Sequence, residues 1–165
     1  MRTAIQHLSQ FLRLGLCALL LSFSAVAQAP LEVRVALVIG NAAYPGRAAL
    51  INPVNDATAM SDILRRLGFK VIEVRDARRE QMTQAILQTQ AALQGKQGVA
   101  LLYYAGHGVQ LDWRNYMVPI DVQLEKSADI PRQAVDIDQV LSAFKNAGTR
   151  MNILVLDACR DNPFT

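Results

Sequence analysis

Four short runs dense in valine, isoleucine and leucine, at residues 33–39, 70–75, 99–104 and 152–156, alternate with three stretches whose apolar residues recur every three to four positions. Continuous apolar runs of this length suit strands buried on both faces, a condition met chiefly in parallel sheets covered by helices on each side. Their β-branched content favours the extended chain. The intervening stretches carry Met60, Ile63, Leu64 and Leu67, then Met82, Ala85, Ile86 and Leu93, then Ile137, Val140, Leu141 and Phe144, each set forming one apolar helix face. Gly68, Gly95 and Gly148 stand where left-handed C-terminal caps are needed, and Asp56, Asp76 and either Asp136 or Asp138 are the expected N-caps. The order βαβαβαβ, with no internal repeat, predicts an α/β domain built on a mostly parallel sheet.

The first 29 residues stand outside that pattern. Arg2 and Arg13 supply a positive region, residues 14–23 an apolar stretch too short to span a bilayer, and Ala27-Gln28-Ala29 a small-x-small cleavage site. We expect a secretory signal over residues 1–29, a mature domain over 30–165, and secretion or delivery to the periplasm. Leu16 before Cys17 is too large for a lipoprotein site, so no membrane anchor is expected after cleavage. Arg2 and Arg13 are two of the 17 basic residues; the remaining 15 face 14 acids, a net charge of +1. That balance offers no electrostatic footprint for nucleic acid.

The same segment holds one of the two histidines and one of the two cysteines, leaving His107 and Cys159 as the sole representatives of their kind in residues 30–165. Each closes a predicted strand inside a turn of small residues: Tyr103-Tyr104-Ala105-Gly106-His107-Gly108 and Leu156-Asp157-Ala158-Cys159-Arg160-Asp161. Parallel sheets bind ligands in the crevice beyond the carboxyl ends of their strands, and right-handed crossovers make consecutive strands neighbours. If the last two strands pair, about 4.8 Å apart, imidazole and thiol face one bound carbonyl group. An exported chain with one cysteine has no internal disulfide partner for it, so Cys159 is reactive, intermolecular or simply buried.

Cysteine with histidine is a sufficient kit for acyl transfer. A thiol of ordinary pKa, about 8.5, is mostly protonated at neutral pH, and an adjacent imidazole takes its proton or protonates the leaving amine. Gly106 and Gly108 allow substrate backbone to approach, and the N–H groups of Gly108 and Cys159 are candidates to hold the oxyanion.

These two motifs, extended to Asp157-Ala158-Cys159-Arg160-Asp161-Asn162-Pro163 and taken with Ala36-Leu37-Val38-Ile39-Gly40-Asn41 and Tyr44-Pro45-Gly46, resemble the caspase-like peptidases, including metacaspases and their bacterial relatives. The likeness runs from about Val33 to the end of the chain. His107 lies 52 positions before Cys159, near the caspase spacing of about 50. The resemblance implies a caspase-like three-layer αβα sandwich and a cysteine endopeptidase with Cys159 as nucleophile and His107 as its partner. Peptide or protein substrates follow from it, with no organic cofactor and no metal in the site, although some metacaspases respond to calcium.

Animal caspases cut after aspartate and carry a glutamine two positions before the nucleophile; here that position is Asp157. Residues two apart on a strand share a face, so the Asp157 carboxylate belongs beside the thiol and suits lysine or arginine. Asn55-Asp56 resembles the metacaspase segment that adds a second acid to this pocket. Cleavage after Arg or Lys is therefore expected, with Asp157 and Asp56 as substrate-binding residues; their bland alternatives are a pair with Arg160 and a helix cap. Residues 109–135 read as a hairpin or irregular excursion beside the site, with Trp113 as packing. The chain stops six residues after Cys159, so an incomplete carboxyl end, pairing with a missing C-terminal portion and weak activity of this piece alone are expected. A catalytically silent partner-binding module is one alternative. A nucleotide-binding domain is another, weakened because Gly40-Asn41-Ala42-Ala43 lacks the glycine spacing that admits a pyrophosphate.

Overall fold

A computed structural model describes residues 32–159; the expectations placed on residues 1–29 and on Arg160 lie outside the described residues. Strands β1 (Arg34–Gly40), β2 (Lys70–Arg75) and β3 (Val99–Ala105) lie in one sheet with a fourth, C-terminal strand, Met151–Asp157. Helices α1 (Pro53–Arg66) and α2 (Arg79–Leu93) connect the first three. After β3 the chain makes a small antiparallel sheet of β4 (Gly108–Leu111), β5 (Arg114–Met117) and β6 (Val135–Asp136), with a single helical turn α3 (Ile130–Gln133) before β6. Helix α4 (Ile137–Asn146) then leads into the C-terminal strand, β7. The main sheet has the order β2-β1-β3-β7 and every pair in it is parallel.

The continuous apolar runs sit where they should. β3 is buried along its whole length and β1 from Val35 onward, because both are central and covered on two faces. Alternate residues divide between those faces. Val35, Leu37, Ile39, Leu102 and Tyr104 meet Met82, Ile86 and Leu93 of α2 and Val140 and Phe144 of α4. Ala36, Val38, Leu101, Tyr103 and Ala105 meet Ala57 and Leu64 of α1. The result is the αβα sandwich expected from the sequence.

The α1 face differs from its expectation. Pro53, Ala57, Ser61 and Leu64 form the buried stripe, while Ile63 and Leu67 are exposed. Small residues win these positions because the helix begins unusually close to the sheet: a Cβ on Gly40 would lie 2.5 Å from the Pro53 carbonyl oxygen and 2.6 Å from the Ala57 Cβ. The α2 face holds as expected, and Gly68, Gly95 and Gly148 adopt positive φ at the helix ends.

Two of the expected caps are corrected. Asp56 sits inside the first turn of α1, which starts at Pro53 after Asn52, so it meets the positive end of the helix dipole without capping it. Asp76 tethers a loop, its Oδ1 accepting from the N–H groups of Ala42 and Ala43 at 2.8 Å each. Asp136 does cap α4, accepting from the Asp138 N–H at 2.9 Å. The stretch after β3 is a hairpin whose two turn residues, Asp112 and Trp113, have φ of +49° and +63°, the conformation of a primed turn. Trp113 is 92% exposed at that tip, which corrects its assignment to packing.

The tight seat of α1 has a direct consequence. Gly40→Ala forces the helix start off the sheet and should lower unfolding stability by about 1–3 kcal/mol, as overpacking does. Urea denaturation measures this, and an unchanged midpoint would show that the contact is not tight.

Candidate active site

The register of β3 against β7 pairs Ala105 with Asp157, so the two motif-bearing ends emerge side by side. The ladder continues one step further, with the Gly106 N–H donating to the Asp157 carbonyl at 3.4 Å. Beyond it Gly108 lies against the nucleophile motif: a Cβ there would come within 2.5 Å of the Cys159 carbonyl oxygen and 3.1 Å of the Ala158 Cβ. Only glycine fits this crossing. Cys159 is an exposed free thiol and His107 is half-buried.

Two buried phenols hold the His107 backbone. Its N–H donates to Tyr44 Oη at 3.0 Å, and the Tyr44 hydroxyl donates to the Val118 carbonyl at 2.9 Å. In the reverse sense the Val118 N–H donates to Tyr104 Oη at 3.1 Å, and the Tyr104 hydroxyl donates to the His107 carbonyl at 2.6 Å. Each hydroxyl thus makes one donation and one acceptance, which satisfies it in a place closed to water. Gly106 passes over both, and a Cβ on it would lie 2.7 Å and 2.8 Å from the two phenol oxygens, at a φ of +156°.

The imidazole is oriented from the other side. His107 Nε2 lies 2.7 Å from the Ala48 carbonyl oxygen, and the ring tilts against Tyr44 with centroids 4.5 Å apart. A carbonyl only accepts, so this contact puts the proton of the neutral ring on Nε2 and leaves the Nδ1 lone pair available.

His107 and Cys159 line one open cleft together with Asp56, Asp157 and the segment from Leu50 to Pro53. Four of the five residues expected to carry chemistry or specificity are therefore brought to one cleft, and the fifth, Gly108, lies against Cys159 outside its lining. The Tyr103 hydroxyl points at the same acids and lies 3.4 Å from Asp157 Oδ2. Burial, then the fields of Asp157 and Asp56, push its pKa up to about 12. Among the described residues neither carboxylate has an ion-pair partner, and the alternative pairing with Arg160 lies outside them. Among the described residues the cleft therefore carries two carboxylates and no cationic side chain.

Tyr44, Tyr104 and Ala48 were not anticipated as parts of the site. Tyr104 carried a signal, since a tyrosine inside a fully buried strand needs a partner for its hydroxyl. The Ala48 carbonyl carried none, because any residue supplies one.

The phenols make the domain sensitive to alkali. Tyr44, Tyr103, Tyr104 and Tyr116 are all held above the ordinary tyrosine pKa, in each case chiefly by burial. A phenol that resists ionisation in the fold ionises from about pH 10 in the unfolded chain, so the stability these tyrosines contribute is fully present below that pH and is lost as pH rises from about 10 toward 12. Phenolate absorbance should appear together with alkaline unfolding. Four tyrosines titrating near pH 10 in a still-folded protein would contradict it.

With the geometry in place, the comparisons with known proteins are direct. A family model described as a caspase domain matches residues 33–165. The mucosa-associated lymphoid tissue lymphoma translocation protein 1 of Homo sapiens and its Mus musculus homolog are each 32% identical to the chain over 127 residues. That stretch is 77% of this chain and 15% of each relative. The family match spans the sandwich from β1 through both motif-bearing turns, and the chain belongs to the caspase-domain family.

Proposed function

We propose that this domain is a cysteine endopeptidase that cuts peptide or protein substrates after arginine or lysine. The observation that carries the reading is the joint position of His107, Cys159, Asp56 and Asp157 around one cleft. The amino-terminal pattern supports action outside the cytosol, in the secreted or periplasmic space.

In this reaction His107 Nδ1 takes the thiol proton, and Sγ of Cys159 adds to the carbonyl carbon of the scissile bond. The N–H groups of Gly108 and Cys159 receive the oxyanion. The imidazolium, steadied through Nε2 by the Ala48 carbonyl, returns its proton to the departing amine. The C–N bond breaks and leaves a thioester, which water activated by the same imidazole hydrolyses to free acid and thiol. The contact at Nε2 matters because it leaves the correct nitrogen unprotonated for the first step.

Specificity follows from charge. An arginine side chain entering the cleft meets two carboxylates that lack cationic partners among the described residues, and a guanidinium pairs well with such a site. An aspartate entering it meets repulsion from both.

Fluorogenic peptides differing only in the residue before the scissile bond test the assignment. Arginine and lysine peptides should be hydrolysed and the aspartate peptide left intact; the opposite order would refute it. Cys159→Ala and His107→Ala should each lower kcat/KM by roughly a thousandfold or more. Asp157→Asn should lower kcat/KM for the arginine peptide by roughly ten- to a hundredfold, the worth of a hydrogen bond to a charged group. Undiminished cleavage after arginine in that variant would remove Asp157 from the pocket.

A further inference from the structure

A second concavity shares two residues with the acidic cleft and has different walls. His107 and Cys159 line it as well, but its wall is made by Tyr44 and Pro45 after β1 and by Val118, Val122 and Leu124 after β5. No carboxylate, ammonium or guanidinium among the described residues lines it. Its floor belongs to a separate apolar cluster, in which Tyr44 and Val118 are buried while Val122 and Leu124 are only partly covered. The two hollows that share the thiol thus differ in kind, one acidic and one apolar.

We infer that this groove is a subsite for the residues that follow the scissile bond, and that it selects an apolar side chain at the first or second of them. The inference rests on the proteolysis proposed above and adds a second determinant to it. A peptide whose basic side chain occupies the acidic cleft crosses Cys159 and leaves on the opposite side. The leaving nitrogen must meet the imidazole that protonates it, and that imidazole is itself a wall of the groove, seated against Tyr44 and Ala48. The chain beyond that nitrogen is delivered into the groove. Side chains alternate along an extended peptide, so one of the first two faces inward. There it covers Val122 and Leu124, whose apolar surface is otherwise partly in water.

Internally quenched peptides sharing one sequence up to arginine, and continuing with Leu-Leu, Gly-Gly, Asp-Asp or Lys-Lys, test this with the full chain. An arginyl dye amide, which has no residue after the scissile bond, is run beside them. The Leu-Leu peptide should show a kcat/KM at least about tenfold above Gly-Gly, the discrimination an apolar pocket commonly achieves. Val122→Glu should erase that advantage and favour Lys-Lys, whereas Leu124→Lys should favour Asp-Asp. Each variant is read as a ratio between peptides in one preparation, and either one suffices. Equal rates for Leu-Leu and Gly-Gly, with the dye amide hydrolysed, would overturn the groove assignment and leave the protease standing. Failure to hydrolyse the dye amide and every peptide would overturn both.

Discussion

The parallel pairing of β3 with β7, in the register that sets Ala105 beside Asp157, is the constraint from which the rest of the site follows. Neither His107 nor Cys159 lies in a strand; each sits two residues beyond the end of one. A slip of one residue in that ladder would turn every alternating side chain to the opposite face of the sheet. The apolar division of β3, with Leu102 and Tyr104 facing α2 and α4 and Leu101 and Tyr103 facing α1, makes such a slip costly. Core packing therefore positions the chemistry. Gly108 adds a local lock, because no side chain fits between its backbone and the Cys159 carbonyl.

Tyrosines on the two faces of β3 serve different parts of the site. Tyr104 points toward the α2 and α4 side, where with Tyr44 it closes a ring of hydrogen bonds through the backbones of His107 and Val118. Tyr103 points toward the α1 side, where its hydroxyl stands beside Asp157 within the field of Asp56. Adjacent residues of one strand thus support the proposed base on one face and the acidic cleft on the other, a division that follows from the two-residue period alone. Val118, which accepts one hydrogen bond of the first set and donates another, also lines the apolar groove. The hairpin that follows β3 is thereby tied to the histidine turn.

Much of this was legible before any coordinates. Apolar runs without alternation indicated strands buried on two faces, and the four strands lie within a residue or so of where the runs place them. His107 and Cys159 stood out because each closes a run inside a turn of small residues, and such ends meet in a parallel sheet. The failures share a cause. Ile63 and Leu67 look like helix core until Gly40 draws the start of α1 onto the sheet and gives the interface to Ala57 and Ser61. Asp76 looks like a cap until it is seen holding the Ala42 and Ala43 amides across a loop. Trp113 looks like packing until a two-residue turn lifts it into solvent. In each case a contact between segments distant in sequence, or a tight backbone turn, overrides a side chain's ordinary preference. The Ala48 carbonyl is the limiting example, since a backbone group that orients the imidazole leaves no mark on residue identity.

The account stands or falls on thiol and imidazole acting together in the acidic cleft. An arginyl chloromethyl ketone, which alkylates an activated cysteine placed beside a pocket for basic side chains, measures this directly when the full chain is labelled and the modified residue is located by mass spectrometry. A single adduct on Cys159 that disappears in His107→Ala is the result predicted. No adduct on Cys159, or labelling of Cys159 that is indifferent to the loss of His107, would contradict it.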